Sequence, residues 1–86
     1  MSYRYASART VDKCVFSVET LKPRSFYRYT AVSPRKIVGL VARHNGRWLY
    51  GVEDGGKFVS MSAGYARRCD AEKSMVQDVL SIMWGK

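Results

Sequence analysis

The sequence contains little of what a metal site, a disulfide framework or a membrane span requires. It has two cysteines, Cys14 and Cys69, and one histidine, His44. The cysteines are far apart, and His44 has no ligand partner at metal-binding spacing, so we expect no metal, no cofactor and two buried reduced thiols. No stretch approaches the ~18 apolar residues of a membrane span, and the first residues, Met1-Ser-Tyr-Arg-Tyr, lack the apolar run that is expected of a signal peptide. These absences predict a soluble, cytoplasmic protein that does not enter a membrane.

Acidic residues are also few, with seven Asp and Glu against 15 Lys and Arg and a net charge of +8. The carboxylates are scattered. The adjacent pair Glu53–Asp54 leads into a glycine turn, and no glycine-rich phosphate loop is present. The sequence therefore predicts no catalytic residues and a protein that is not an enzyme.

The positive charge is concentrated in the first part of the chain. Residues 1–47 carry ten Lys and Arg against Asp12 and Glu19, whereas residues 48–86 carry five of each sign. Such a distribution attracts polyanions and accelerates their arrival. It favours nucleic acid, a nucleoprotein or an acidic protein surface as the partner.

Local patterns predict a single domain over residues 1–86, in which residues 1–10 form a basic arm that either adds to a sheet edge or is mobile. Alternating and β-branched segments predict strands at 14–20, 26–32, 47–53 and 57–62, and an apolar stripe predicts a helix over 67–84. Ser33-Pro34 and the spacing of the next apolar residues favour a second helix over 34–44. The alternative for 37–42 is a strand that forms a hairpin through Asn45-Gly46.

The favoured assignment gives an α+β fold in the order ββαββα. It is a two-layer sandwich in which a four-stranded antiparallel sheet carries two helices on one face. The other face of the sheet would be free to meet a ligand.

Residues 45–72 carry a pattern of a strand tryptophan, a Gly-Gly-Lys turn, a Gly-aromatic pair and an Ala-Glu pair early in a helix. The residues are Trp48, Gly55-Gly56-Lys57, Gly64-Tyr65 and Ala71-Glu72. This pattern resembles the three-strand-plus-helix module of arm-type DNA-binding domains of phage integrases, and it is similar to YegP-like small bacterial proteins. The resemblance covers about half of the chain and implies a basic sheet inserted into a DNA groove. The DNA-facing positions that it implies are Arg47, Leu49, Lys57 and the alternate residues near Val59.

Arginines interleaved with tyrosines provide the best candidate site. Arginine binds phosphate through two parallel hydrogen bonds, and an aromatic ring on which a base stacks contributes about 1–3 kcal/mol. The predicted binding residues are Arg4, Arg9, Arg24, Tyr27, Arg28, Tyr29, Arg35, Lys36, Arg43 and Arg47. The alternative is that Tyr27 and Tyr29 pack in the core while the arginines are merely solvated.

Two functions of different classes follow. The first is a small non-enzymatic module that docks on a polyanion, most of all nucleic acid. The second is an inhibitor or adaptor that binds a host protein or nucleoprotein complex, of the kind that phages and mobile elements use, as in anti-CRISPR proteins. The chain is expected to be a monomer or a small homo-oligomer.

Overall fold

A computed structural model describes residues 6–11, 14–32 and 36–84. Six strands and one helix follow one another along the chain. They are β1 (Ala6–Val11), β2 (Cys14–Lys22), β3 (Phe26–Ala31), β4 (Ile37–His44), β5 (Arg47–Asp54), β6 (Lys57–Tyr65) and α1 (Arg68–Trp84). The strands form one antiparallel sheet whose spatial order is the chain order, β1 to β6.

The predicted four-stranded sheet with two helices is wrong, because the sheet has six strands and α1 is the one helix of the described residues. The predicted helix over 34–44 fails in its described part, where β4 pairs with β5 from Ile37 opposite Asp54 to His44 opposite Arg47. Asn45 and Gly46 have φ angles of 51° and 75°. Two positive φ angles in a two-residue connection define the turn that a tight hairpin prefers, so the hairpin alternative is confirmed.

Strand β4 is apolar on both of its faces, which explains why it resembles a helix in sequence. Ile37, Gly39 and Val41 face α1 and are buried, while Val38 and Leu40 lie half-buried on the opposite side. A strand covered on one face normally alternates between apolar and polar residues. Since this alternation is missing, the apolar positions of β4 fit helical spacing equally well.

The remaining elements agree with the sequence patterns to within a few residues. The four predicted strands correspond to β2, β3, β5 and β6, and the predicted C-terminal helix corresponds to α1. Within the predicted arm, residues 6–10 belong to β1, which adds to the sheet beside β2. Residues 1–5 lie outside the described part of the chain.

Helix α1 lies on one face of the sheet, here called the inner face, and packs mainly against β4, β5 and β6. Its fully buried residues Ala71, Met75, Val76 and Val79 pack into one core cluster with inner-face residues such as Phe16. The helix starts over β3 and reaches β6, because Glu72 bonds Tyr29 of β3 whereas Asp78 bonds Ser60 of β6. The opposite side of the sheet, here called the outer face, has no described helix over it.

The two cysteines have different environments. Cys14 is buried and Cys69 is exposed on α1, so the expectation of two buried thiols is wrong for Cys69. Burial raises the pKa of the Cys14 thiol. Among the described residues, no helix has the length and apolarity to cross a bilayer.

Candidate functional site: the basic end of the sheet

Two turns and the start of α1 meet at one end of the sheet. The turn between β2 and β3 lies beside the end of β4, because the Arg43 amide donates to the Ser25 carbonyl oxygen at 2.7 Å. Trp48 at the start of β5 pairs with Tyr65 at the end of β6, three residues before α1 begins. These segments bring together six cationic residues, here called the basic end: Lys22, Arg24, Arg43, Arg47, Arg67 and Arg68.

Few described carboxylates offset this charge. Asp70 lies 3.7 Å from the Arg67 Nε, with both side chains well exposed, a geometry that contributes little. Glu72 is buried beneath the surface. At the other end of the sheet, the described residues balance, with Lys36 and Lys57 against Glu53 and Asp54. Among the described residues, the positive charge is therefore concentrated at this end of the sheet.

Arg68 is held in place by two aromatic side chains of β3. Its guanidinium lies 3.8 Å from the centre of the Tyr27 ring, and its Nη2 donates to the Tyr29 hydroxyl at 3.1 Å. The same hydroxyl donates to Glu72 Oε2 at 2.5 Å. Burial, together with this bond to Glu72, raises the pKa of Tyr29 to about 12. The hydroxyl therefore stays protonated, and a neutral Tyr29 links the cation to the buried carboxylate.

Two further arginines of the basic end have defined backbone or side-chain contacts. Arg24 has a φ of 61°, a left-handed conformation that costs an ordinary residue about 1–2 kcal/mol. Its amide donates to the Tyr27 hydroxyl at 3.0 Å, which holds the turn. Arg47 donates from Nη1 to the Gly64 carbonyl oxygen at 3.3 Å. Both side chains are exposed, so their remaining donors face solvent.

The structure gathers three of the predicted binding residues, Arg24, Arg43 and Arg47, at the basic end. Arg28 instead lies on the outer face, where its Nε donates to Glu19 Oε1 at 3.0 Å and the carboxylate neutralises its charge. Lys36 lies at the opposite end, where its carbonyl oxygen accepts from the Gly55 amide. Arg28 and Lys36 are therefore not part of this site. Arg4 and Arg35, with the side chain of Arg9, lie outside what the structure describes.

Tyr27 and Tyr29 do not provide a stacking surface. Their exposures are 9% and 0%, so the prediction that bases stack on them is wrong, and the alternative that they pack in the core is confirmed. Tyr27 stacks instead on Trp48, with ring centres 6.4 Å apart. Among the described side chains, the well-exposed aromatic residue is Phe58, near the start of β6 and away from the basic end.

Sequence reasoning missed Lys22, Arg67 and Arg68 as members of the site. A signal for the two arginines was available in the hairpin formed by β5 and β6. A hairpin returns the chain to the end from which it left, so residues that follow β6 must lie beside the turn that precedes β5. The pairing of β2 with β3 likewise places Lys22 at the site, because Lys22 ends β2 next to the turn that carries Arg24.

The outer face of the last three strands is apolar rather than basic. Leu40, Gly51 and Met61 lie side by side across β4, β5 and β6, and a side chain at Gly51 would meet Phe58. Of the DNA-facing positions that the integrase resemblance implies, Leu49 therefore lies on this apolar face, whereas Arg47 belongs to the basic end. No group of His, Cys, Asp or Glu among the described residues could hold a metal ion.

Comparison of the chain with protein-family models, with curated proteins and with solved structures found no match in any of the three. The resemblance to integrase arm domains therefore stays a prediction.

Proposed function

We propose that this protein is a non-enzymatic module that binds nucleic acid through the basic end of its sheet. The observation that carries the proposal is the convergence of six cations from three separate chain segments, with one exposed carboxylate, Asp70, beside them. Five of the six side chains are exposed, and Arg68 is fixed by Tyr27 and Tyr29.

The chemistry of the basic end suits phosphate rather than bases. Guanidinium groups bind phosphate oxygens through paired hydrogen bonds. The described aromatic side chains near them are packed inward, so base stacking contributes little there. Binding of this kind fixes a protein on the phosphate backbone with little sequence preference. Its affinity falls steeply with salt, because each neutralised phosphate releases counterions.

A salt titration with two matched triple variants tests the proposal. Fluorescence anisotropy of a labelled DNA duplex gives the affinity at each salt concentration. The variant Arg24→Gln/Arg43→Gln/Arg47→Gln should bind more weakly. Its plot of log affinity against log salt should also be less steep, with a slope smaller in magnitude by about 2–3. The control Lys36→Gln/Lys57→Gln/Lys73→Gln loses the same charge from exposed positions outside the basic end and should keep the slope. Equal effects of the two variants, or no binding at low salt, would contradict the proposal.

A protein-binding inhibitor or adaptor is the second candidate, and the apolar outer face favours it. Phe58 and Met61 are 53% and 68% exposed on that face, and exposed apolar patches mark protein contacts. A pull-down from nuclease-treated lysate distinguishes the two functions. A protein that the Arg24/Arg43/Arg47 triple variant still captures, and that Met61→Lys loses, would support this candidate. Loss of all captured material after nuclease treatment would support nucleic-acid binding.

A further inference from the structure

The edge strand β6 carries an unusual share of exposed apolar surface. It pairs with β5 on one side and ends the sheet on the other. Phe58, Val59 and Met61 are 53%, 53% and 68% exposed, and they are three of the five large exposed hydrophobic residues among the described side chains. An edge strand of nine residues with this composition is a template for another strand.

Charge and proline, two of the usual protections of an edge strand, are sparse in β6. Its sequence contains one charged residue, Lys57 at its first position, and no proline. Its pairing with β5 is interrupted near Val59 and near Gly64, where β6 has an extra residue. These bulges leave Ser60–Ala63 as a regular segment. Alternate backbone N–H and C=O groups of a regular edge point away from the sheet and can pair with a further strand.

We propose that two copies of this chain associate through β6, antiparallel, with a two-fold axis at Met61. Met61 then lies opposite its own copy, and Ser60 lies opposite Ser62. Phe58 lies beyond the bulge at Val59, and its ring lies beside Gly51 of β5 in its own copy. When two identical strands pair antiparallel, each presents the same surface to the other. Such a self-complementary contact is the condition for a closed two-fold dimer.

Charge does not oppose a second copy in this orientation. The regular segment Ser60–Ala63 carries no charged residue, and Lys57 lies toward the Tyr65 end of the other copy, so the contact contains no like-charged pair. Tyr65 adjoins the basic end, and the two copies of Tyr65 are about 27 Å apart for nine residues in extended conformation. This separation exceeds the Debye length of about 8–10 Å at physiological salt. The net charge of each copy therefore does not prevent the association, which leaves both basic ends accessible.

Sedimentation equilibrium tests the association with two variants of matched exposure. A single strand-to-strand contact is small, so we expect a dimer fraction that rises between about 10 µM and 1 mM. Met61→Lys should abolish the dimer, since it places two cations at the two-fold axis. Val32→Lys replaces another hydrophobic residue that is 68% exposed and lies outside β6, and it should leave the dimer intact. A monomer throughout, a dimer that survives Met61→Lys, or a series of higher oligomers would overturn the proposal.

Disulfide trapping tests the register itself, in a Cys69→Ser background. Met61→Cys should form a covalent dimer under mild oxidation, because residues opposite each other in an antiparallel pair have Cα atoms about 4.5–5.5 Å apart. Val59→Cys is the control on the same strand. In the proposed register, the residues at position 59 of the two copies would be four residues apart, about 13 Å along the strand, so they should not form a disulfide bond. Trapping through Val59→Cys, or no trapping through Met61→Cys, would overturn the register. Unchanged circular dichroism of each variant confirms that it is folded.

Discussion

Replacing Gly39 by alanine changes stability in opposite directions in a helix and in the observed strand. In a helix, alanine would stabilise the protein by about 1 kcal/mol relative to glycine. In β4, Gly39 faces the core, and an added Cβ would lie on the Met75 sulfur and only 2.9 Å from the Met75 Cγ. Met75 is fully buried, so its side chain cannot move into solvent.

The expected cost follows from two opposing effects. Overpacking a core by one methyl group lowers the free energy of unfolding by about 1–3 kcal/mol. The lower backbone entropy of alanine in the unfolded chain offsets about 0.5–1 kcal/mol of this loss. Gly39→Ala should therefore lower the free energy of unfolding by about 1 kcal/mol, and by no more than about 2.5 kcal/mol, measured by urea denaturation. Gly51→Ala is the control, since its Cβ would meet the exposed side chain of Phe58, which can move aside. It should cost less.

A double-mutant cycle assigns the effect to Met75. Met75→Ala alone should cost about 2–5 kcal/mol. If the two side chains compete for the same space, Gly39→Ala should cost little or be stabilising in the Met75→Ala background. A stabilising effect of Gly39→Ala in the wild-type protein, or additive costs in the cycle, would refute the packing of β4 against α1.

Two further predictions concern the basic end. Folding raises the pKa of Tyr29 to about 12, above its ordinary value of 10, so the folded protein keeps this proton at pH values where the unfolded chain loses it. Below pH 10, Tyr29 should therefore not affect the free energy of unfolding. As the pH approaches 12, this free energy should fall by about 2 kcal/mol, and Tyr29→Phe should remove that decrease. Equal pH dependence in the two proteins would contradict the assignment. Arg24→Gly should raise the free energy of unfolding by about 1 kcal/mol, because glycine adopts the left-handed backbone conformation without strain. The same variant should weaken DNA binding. A lower free energy of unfolding would show that the Arg24 side chain supports the turn.

The sequence predicts those parts of the fold in which local patterns have one interpretation. Alternation identifies β2 and β5, and the apolar stripe identifies α1. For β4 the local signals conflict, because its second face is also apolar and Asn45-Gly46 can end a helix or form a hairpin turn. Tertiary packing decides between these structures, and the contact of Gly39 with Met75 is not visible from either residue alone.

The candidate site was partly predictable for a related reason. Net charge predicts a cationic surface, but residue order alone does not show which cations come together. Pairing with Glu19 removes Arg28, and strand register places Lys36 at the far end. Arg67 and Arg68 join the site because the hairpin of β5 and β6 returns the chain to its starting end. The tyrosines are buried because a chain of this size needs its aromatic residues for the core.

The most direct test of the basic end is to map the contact surface of the protein with a short DNA duplex by NMR chemical-shift perturbation. Our account predicts that the largest amide shifts occur in three segments, residues 22–25, 43–47 and 64–68, and that they fade as salt is added. Shifts concentrated on the outer face of β4–β6, or around Lys36 and Lys57, would contradict it.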